Sequence, residues 1–366
     1  MSLVRKHILR ITPYKAGKPI EETKRELGLK KVIKLASNEN PFGPSLKAIK
    51  AIEKNLTQIN RYPDSHSFYL KKRLAGYYHL QPANIILGNG SDELIDIIIK
   101  TFVEDDENII TAKITFLEYE IIAQINKKKI ITVPLRDFKY DLKAIKKRIN
   151  QKTKLIFISN PNNPTGTYVN KYEIEDFMQD LPDKVIVVFD EAYDTFIDAD
   201  DFLSGMSYVP KRNVIVLKTF SKAYGLAGLR LGYALTKEIF ASYMERVRQP
   251  FNVNILAQIA GESALEDDGF LAKTRREILE GKRYLYKELN KLGINYIPSV
   301  ANFILIDIKR DGVEFFKKML SYGVIIRDMQ QYGLKNFIRV TIGTSKENKI
   351  FIDVLKKILH KRKELR

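Results

Sequence analysis

Short apolar runs alternate with amphipathic stretches through most of the chain, and this alternation constrains the fold more than any other feature. The runs have the length and β-branched content of buried strands, and the stretches between them have helical periodicity. Strands that alternate with helices form a mainly parallel sheet covered on both faces, so we predict an α/β fold. Strands are predicted at residues 84–87, 108–111, 130–134, 155–159, 185–189 and 214–217, and helices at 46–56, 94–102, 117–125, 142–150 and 171–181.

The last third of the chain has a different pattern. A long helical region covers residues 251–292, and the short strands that follow are separated by helices, as in a small α+β domain. These strands are predicted at 294–297, 303–306, 323–327 and 337–341, and the helices at 313–322 and 348–365. We therefore predict a large domain at residues 46–265 and a smaller domain formed by residues 1–45 and 266–366.

Composition excludes several classes of protein. Of the 366 residues 45% are hydrophobic, 29% are charged and none is cysteine, which is typical of a soluble globular protein without disulfides or thiolate chemistry. No apolar run approaches the roughly 20 residues that span a bilayer, so we expect no membrane partner. The N-terminus is basic but lacks the apolar core of a signal peptide, and we expect a cytoplasmic location.

The net charge of +18 raises the question of a nucleic-acid partner. The lysines are spread along helix-like stretches and do not form one block interleaved with aromatic residues. We interpret them as a solvated basic surface and predict no nucleic-acid partner. The four histidines are not at the spacing of metal ligands, so we predict no metal site.

Polar segments follow three of the predicted strands. They are Asn160–Gly166, Asp190–Tyr193 and Thr219–Lys222. Ligands of parallel sheets bind beyond the carboxyl ends of the strands, where the strand order switches. The three segments are therefore predicted to meet in one site.

Lys222 and Asp190 are the residues of this site with the most specific chemistry. A lysine directly after a buried strand can be partly desolvated, which lowers the pKa of its amine and makes it a nucleophile or proton carrier. A carboxylate at the end of a buried strand needs a cationic partner. Taken singly, Asp190 also suits a helix N-cap and Lys222 a surface lysine.

Another polar segment, after the strand predicted at residues 84–87, has the features of an anion-binding site. A short strand is followed by Gly90 and Ser91 and then by a helix, which brings free backbone N–H groups and the positive end of the helix dipole to one point. An ordinary capped helix has the same pattern. Thr219, Ser221 and Arg230 would add hydroxyl donors and a bidentate cation, which a phosphate prefers.

Together these groups match pyridoxal phosphate, which has a pyridinium nitrogen, a ring oxygen, an aldehyde and a phosphate. Asp190 would pair with the pyridinium, and Lys222 would form an imine with the aldehyde. Asn163 and Tyr193 would donate to the ring oxygen. Phe116 would stack on the ring.

The motifs that carry these residues, GNGSDE, NPNNPTG, FDEAY and KTFSKAYGLAGLRLG, resemble fold-type-I aminotransferases in order and spacing. The opening TPYKAGKPIEETKRELGLKKVIKLASNENPFGPS, with NRYPD, GVIIRD and FIRVTIGT, resembles the histidinol-phosphate aminotransferase family. The resemblance covers essentially the whole chain. It implies the fold of type-I pyridoxal-phosphate enzymes, with a large domain around a mostly parallel sheet and a small α+β domain.

The resemblance also implies roles for individual residues. Lys222 holds the cofactor and moves the proton of the substrate, Asp190 keeps the pyridine nitrogen protonated, and Asn163 and Tyr193 bind the ring oxygen. Tyr62 reaches the phosphate from the neighbouring subunit, which implies a homodimer with shared sites. The residues of the same chain implied at the phosphate are Gly90, Ser91, Asp92, Thr219, Ser221 and Arg230.

The substrate end follows from the same resemblance. Arg339 matches the arginine that binds the α-carboxylate or the corresponding end of an amino alcohol. Arg327, Tyr14 and the loop at Asn38 would face the rest of the substrate, including its phosphate. The chain departs from the family at Phe116, where a tyrosine is usual, so the ring contact is kept and a hydroxyl is lost.

Several substrates fit this set of residues. The first is L-histidinol phosphate, with 2-oxoglutarate as amino acceptor. Aromatic amino acids are an alternative, and decarboxylation of threonine phosphate on the same cofactor is another. Arg327 and Arg339 favour a phosphorylated substrate, but they would equally serve the two carboxylates of 2-oxoglutarate.

Overall fold

Helices and strands alternate along the computed structural model, which describes residues 3–360. The helices are α1 (Ile20–Leu27), α2 (Leu46–Asn55), α3 (Phe68–Tyr78), α4 (Ser91–Phe102), α5 (Glu118–Ile125), α6 (Leu142–Lys146), α7 (Lys171–Gln179), α8 (Glu238–Glu245), α9 (Ile255–Ala264), α10 (Asp268–Lys291), α11 (Gly312–Ser321) and α12 (Ser345–His360). The strands are β1 (Ile33–Lys34), β2 (Ile85–Gly88), β3 (Asn108–Ala112), β4 (Lys129–Val133), β5 (Thr153–Ser159), β6 (Ile186–Asp190), β7 (Val214–Thr219), β8 (Gly232–Thr236), β9 (Asn295–Ile297), β10 (Phe303–Asp307), β11 (Val324–Ile325), β12 (Arg327–Asp328) and β13 (Phe337–Thr341).

A seven-stranded sheet with the order β2-β8-β7-β6-β5-β3-β4 forms the larger part of the molecule. Strands β3 to β7 run parallel, and β8 is antiparallel to both β2 and β7. In β6, Val187 and Phe189 pack into a core with α2, α3 and α9, whereas Ile186 and Val188 pack into a second core with α4 and α5. The prediction of a mainly parallel sheet covered on both faces is therefore confirmed.

A four-stranded antiparallel sheet with the order β12-β13-β10-β9 forms a separate core with α10, α11 and α12. A short parallel pair, β1 with β11, ties the N-terminal segment to this part of the chain. The predicted domain boundaries, at residues 45 and 265, stay a prediction. Within residues 3–360, no helix is both long and apolar enough to cross a membrane.

Several predicted elements differ in extent from the observed ones. The helix predicted at 142–150 ends at Lys146, and the strand predicted at 323–327 is divided into β11 and β12. The helical region at 251–292 contains two helices, because Asn254 and Asp267 each accept a hydrogen bond from a backbone N–H of a following turn. The sequence prediction missed α3, β8 and α8, and the predicted end of α12 at residue 365 lies outside the described residues.

Candidate active site

One cavity lies at the carboxyl ends of β5, β6 and β7, where the predicted polar segments meet. It also receives the start of α4, the N-terminal segment and strands β12 and β13 of the smaller sheet. The predicted site residues that line it are Tyr14, Asn38, Ser91, Asp92, Phe116, Asn163, Asp190, Tyr193, Thr219, Ser221, Lys222, Arg230, Arg327 and Arg339. The structure thus brings together residues that are far apart in the sequence.

Asp190 is the last residue of β6 and is buried. One carboxylate oxygen accepts a hydrogen bond of 2.6 Å from the hydroxyl of Tyr119, and the other accepts one of 3.2 Å from the N–H of Ala192. Burial raises the pKa of the Asp190 carboxyl to about 6. Within residues 3–360 both of its hydrogen-bond partners are neutral, so the cationic partner expected from the sequence is not supplied by this chain.

Lys222 lies in the turn after β7, and its ammonium nitrogen Nζ donates a hydrogen bond of 3.2 Å to the carbonyl oxygen of Ser37. It also lies 5.7 Å from the centre of the Tyr193 ring. Burial, together with the positive charge of Arg339, lowers the pKa of the Lys222 amine to about 8. The amine is therefore available as a nucleophile near neutral pH.

This lowered pKa predicts how Lys222 reacts in the cofactor-free protein. With a pKa of about 8, roughly a quarter of the amines are uncharged at pH 7.5. We expect acylation of Lys222 by acetic anhydride, followed by mass spectrometry, to rise with pH and to reach half its maximum near pH 8. Lys211, an exposed lysine on the same part of the chain, is the control in the same digests. A profile centred at the ordinary value of 10.5 would contradict the prediction.

The start of α4 faces the cavity with the features of an anion site. Gly90 precedes the helix with a φ of +83°, and it provides no side chain to cap the first N–H groups. A Cβ atom at this position would lie 2.6 Å from the guanidinium nitrogen Nη2 of Arg230 and would displace that side chain, and the positive φ itself favours glycine. The same nitrogen donates a hydrogen bond of 3.0 Å to Asp92. Free N–H groups, a helix dipole and a guanidinium together suit a phosphate.

Thr219 and Ser221, which precede Lys222 in the chain, also line the cavity. Thr219 Oγ1 accepts a hydrogen bond of 3.0 Å from the N–H of Ser221. This bond fixes the turn that follows β7, because it holds the backbone of the segment that ends at Lys222.

Arg339, in β13, is buried and is held by two elements that are distant in sequence. Its guanidinium nitrogen Nη1 donates to the side-chain oxygen of Asn163, and Nη2 donates to the carbonyl oxygen of Ala36 over 2.9 Å. The guanidinium lies 5.1 Å from the centre of the Phe303 ring. Asn38, on the same N-terminal loop, donates a hydrogen bond of 3.0 Å to the hydroxyl of Tyr193. These contacts give the cavity a fixed wall.

Arg327 also lines the cavity and is 6% exposed. Its guanidinium is 5.4 Å from the centre of the Tyr14 ring, and its Nη2 donates a hydrogen bond of 3.2 Å to Gln331. The cavity therefore contains two buried arginines in addition to Arg230. Three guanidinium groups around one small cavity indicate a substrate or cofactor with more than one anionic group.

Phe116 and Tyr62 differ in their relation to the cavity. Phe116 lines the cavity and meets the ring of Tyr119 edge to face, with 5.7 Å between ring centres. Tyr62 does not line the cavity of its own chain: it is 81% exposed and stacks on Phe251 with 4.6 Å between ring centres. Its predicted place in a partner's site stays a prediction.

The sequence interpretation missed several residues of the site. Tyr119, which donates to Asp190, lies on the buried face of α5 with Ile122 and Ala123. Helical periodicity in the sequence places this phenol on the apolar face of a helix, so the sequence does contain a signal for it. The contact of Lys222 with Ser37 uses a backbone carbonyl, for which no sequence signal exists. Further lining residues that were missed are Gly17, Ala36, Glu118, Ser159 and Ala192.

Comparison with known proteins identifies the family. The family model for aminotransferases of class I and II matches residues 30–355. The chain is 46% identical to the histidinol-phosphate aminotransferase of Moorella thermoacetica, over 97% of this chain and 92% of the relative. It is 45% identical to that of Desulfotalea psychrophila, over 95% and 93%.

A solved structure gives the same result. The histidinol-phosphate aminotransferase of Sinorhizobium meliloti, crystallised in complex with pyridoxal-5'-phosphate, superimposes with a TM-score of 0.88 at 26% identity. The superposition covers 98% of this chain and 99% of that one. The chain therefore belongs to the class I and II aminotransferases and, among them, to the histidinol-phosphate aminotransferase family.

Proposed function

We propose that this protein is a pyridoxal-phosphate-dependent aminotransferase of histidine biosynthesis. It transfers the amino group of L-histidinol phosphate to 2-oxoglutarate and gives imidazole-acetol phosphate and L-glutamate. The observation that carries the proposal is the pair of buried arginines, Arg327 and Arg339, in the same cavity as Lys222. The two relatives named above, which are 46% and 45% identical over nearly the whole chain, support it.

The residues of the cavity fit the cofactor. Asp190 is buried without a cationic hydrogen-bond partner in the described chain, and a protonated pyridine nitrogen would supply one. Lys222 has an amine of lowered pKa that suits an aldehyde. The N–H groups at the start of α4, with Ser91, Thr219, Ser221 and Arg230, would hold the phosphate. Asn163 and Tyr193 would donate to the ring oxygen, and Phe116 would stack on the ring.

When bound, pyridoxal phosphate supplies an electron-withdrawing ring that stabilises negative charge at the α-carbon of the amino donor. Lys222 would take the proton from that carbon as a general base and, as a general acid, deliver it to the carbon of the cofactor's aldehyde group. Asp190 stays ionised beside the ring nitrogen and keeps a proton on it. Tyr119 and the N–H of Ala192 hold the carboxylate in this orientation through their hydrogen bonds.

Arg339 and Arg327 recognise the two ends of the substrate. Arg339 binds the α-carboxylate of glutamate and 2-oxoglutarate, or the alcohol end of histidinol phosphate. Arg327, with Tyr14 and Asn38 on the N-terminal segment, binds the distal anionic group, which is a phosphate in the first substrate and a carboxylate in the second. The same two guanidinium groups thus serve both half-reactions.

The test is a comparison of amino donors. Purified protein with pyridoxal phosphate and 2-oxoglutarate is given L-histidinol phosphate, L-phenylalanine or L-threonine phosphate, and kcat/KM is measured for each. We expect a clear preference for histidinol phosphate. A preference for phenylalanine would overturn the proposed substrate, and release of carbon dioxide from threonine phosphate would overturn the reaction.

Replacement of Arg327 separates the donors further. Arg327→Ala removes the cation that faces the distal anionic group, and losing a charge-assisted hydrogen bond costs about 1.5–3 kcal/mol. We expect kcat/KM for histidinol phosphate to fall by roughly 10- to 100-fold and that for phenylalanine to fall much less. Arg283→Ala, on the exposed side of α10, is the matched control. Equal losses for both donors would contradict the role of Arg327.

We further propose that the protein acts in the cytoplasm as a homodimer with shared sites. Large apolar side chains are exposed in the segment before and after Tyr62, and exposed apolar surface favours an interface. They are Leu56, Ile59, Tyr62, Phe68 and Tyr69. Tyr62 would bind the cofactor phosphate of the partner subunit.

Hybrid dimers test the shared site. A Lys222→Ala chain paired with a Tyr62→Phe chain would contain one site with both residues intact and one with neither. We expect the hybrid to recover about half of the wild-type activity, well above either parent variant. If Tyr62 served its own chain, neither site of the hybrid would be complete, and activity would stay at the level of the parents.

A further inference from the structure

The N-terminal segment at residues 13–17 lines one part of the cavity through Tyr14 and Gly17, and Tyr14 lies beside Arg327. The Tyr14 ring lies 5.4 Å from the guanidinium and lines the cavity beside it. An aromatic face over a guanidinium is a favourable arrangement, but it does not fix the segment by itself, since cation–π contacts at exposed sites are weak. Tyr14 is 40% exposed. Another contact must therefore fix the position of the segment.

The side chain of Gln331 provides this contact. Its oxygen Oε1 accepts hydrogen bonds of 3.2 Å from the N–H of Lys15 and from Nη2 of Arg327. Its nitrogen Nε2 donates a hydrogen bond of 3.2 Å to the carbonyl oxygen of Pro13. The two backbone contacts flank Tyr14 on both sides. One amide therefore binds the segment and the arginine together.

The chemistry of an amide suits this place. Within residues 3–360, Gln331 is the only hydrogen-bond partner of the Arg327 guanidinium, which has five N–H donors. A neutral acceptor holds the guanidinium without cancelling its charge, so the remaining donors stay available to an anion. A carboxylate in the same place would compete with that anion.

We propose that Gln331 is a positioning residue that sets Arg327 and Tyr14 as one recognition unit for the distal phosphate of the amino donor. This inference rests on the proposed function, because it assigns a phosphorylated donor to Arg327. It goes beyond that function by naming a residue outside the cavity wall that controls specificity. It also makes the N-terminal segment part of the substrate-binding apparatus.

Gln331→Ala tests the proposal through the separation of KM and kcat. We expect KM for histidinol phosphate to rise about tenfold, the factor that corresponds to about 1.4 kcal/mol, while kcat for this donor stays nearly unchanged. For phenylalanine, both kcat and KM should stay nearly unchanged. Gln330→Ala is the matched control, because Gln330 is the exposed neighbour and its side chain makes no hydrogen bond within residues 3–360. If Gln331→Ala behaves like Gln330→Ala, the proposal is wrong.

Gln331→Glu distinguishes positioning from a general effect on the fold. Glutamate keeps the two acceptor contacts but places a negative charge beside Arg327 and loses the donor to Pro13. We expect KM for the phosphorylated donor to rise more than in Gln331→Ala, while the melting temperature stays close to that of the wild type. A wild-type KM in this variant would overturn the proposal.

A readout without substrate completes the test. The chain contains no tryptophan, so Tyr14→Trp places a single fluorescent reporter on the segment. In the holoenzyme we expect Gln331→Ala to increase quenching of this tryptophan by acrylamide, and Gln330→Ala to leave it unchanged. Unchanged quenching in Gln331→Ala would overturn the inference. A failure of the proposed function would instead appear in the wild-type enzyme, as an absence of preference for the phosphorylated donor.

Discussion

Lys222→Ala is expected to abolish transamination. The amine binds the aldehyde of the cofactor and moves the proton at the α-carbon, and no other lysine lines the cavity within residues 3–360. Loss of a general acid and base alone costs about 10²- to 10⁴-fold. Because the covalent attachment is lost too, we expect turnover to fall by at least about 10⁴-fold, measured as glutamate formed under saturating substrates.

Two controls make this result specific. We expect the variant still to bind pyridoxal phosphate non-covalently, because the phosphate and ring contacts remain, and the cofactor's absorbance and its release on dialysis measure this. Lys211→Ala removes an exposed lysine from the same part of the chain and should leave turnover unchanged. Full turnover in Lys222→Ala would refute the proposed aminotransferase mechanism.

Asp190→Asn is expected to give the second-largest loss. The amide has nearly the shape of the carboxylate but no charge, so it cannot hold a proton on the pyridine nitrogen. Breaking a buried ion pair by removing one partner costs about 3–5 kcal/mol, which corresponds to roughly two to four orders of magnitude in rate and cofactor affinity. Glutamate formation and equilibrium titration with pyridoxal phosphate measure the two losses.

The same substitution is expected to stabilise the cofactor-free protein at neutral pH. Burial raises the pKa of Asp190 from 3.8 to about 6, so the folded state favours the protonated carboxyl. The wild-type chain therefore loses stability as the pH rises from about 4 through 6, and the loss is complete above the folded pKa. A shift of this size is about 3 kcal/mol, and loss of one of the two accepted hydrogen bonds offsets about 1 kcal/mol of the gain.

Urea unfolding of both cofactor-free proteins checks the sign. We expect Asp190→Asn to be more stable than the wild type by about 1–2 kcal/mol at pH 7.5 and to lose this advantage by pH 4. A destabilised variant at pH 7.5 would show that the carboxylate is already paired with a cation in the empty site. The opposite effects on activity and on stability would identify a group maintained for the cofactor and not for folding.

The sequence predicted most of the large sheet because its parallel strands are buried on both faces. Strand β7, for example, begins with four apolar residues at 214–217, and the polar residues that follow mark its carboxyl end. Strand β8 was missed because GYALT begins with glycine and follows a glycine-rich turn, and its antiparallel pairing with β2 and β7 depends on tertiary contacts. The aromatic-rich helix α3 has only a weak apolar stripe, so its periodicity gives little signal.

The site was predicted where side chains follow strands in recognisable motifs. Asp190, Tyr193 and Lys222 belong to this group. Contacts between distant segments were not predictable, because a single sequence contains no information on which loop meets which strand. The contact of Gln331 with the backbone at Pro13 and Lys15 is an example, as is the hydrogen bond from Tyr119 to Asp190.

The contacts between the N-terminal loop and strand β13 have a consequence for how the protein is made. The backbone N–H of Asn38 donates a hydrogen bond of 2.9 Å to the hydroxyl of Thr341, 303 residues later in the chain. At a synthesis rate of roughly 5–20 residues per second, Thr341 is translated roughly 15–60 seconds after Asn38. The ribosome therefore releases a chain whose large sheet can form early but whose catalytic cavity closes last, so cofactor capture is a late step in the maturation of the enzyme.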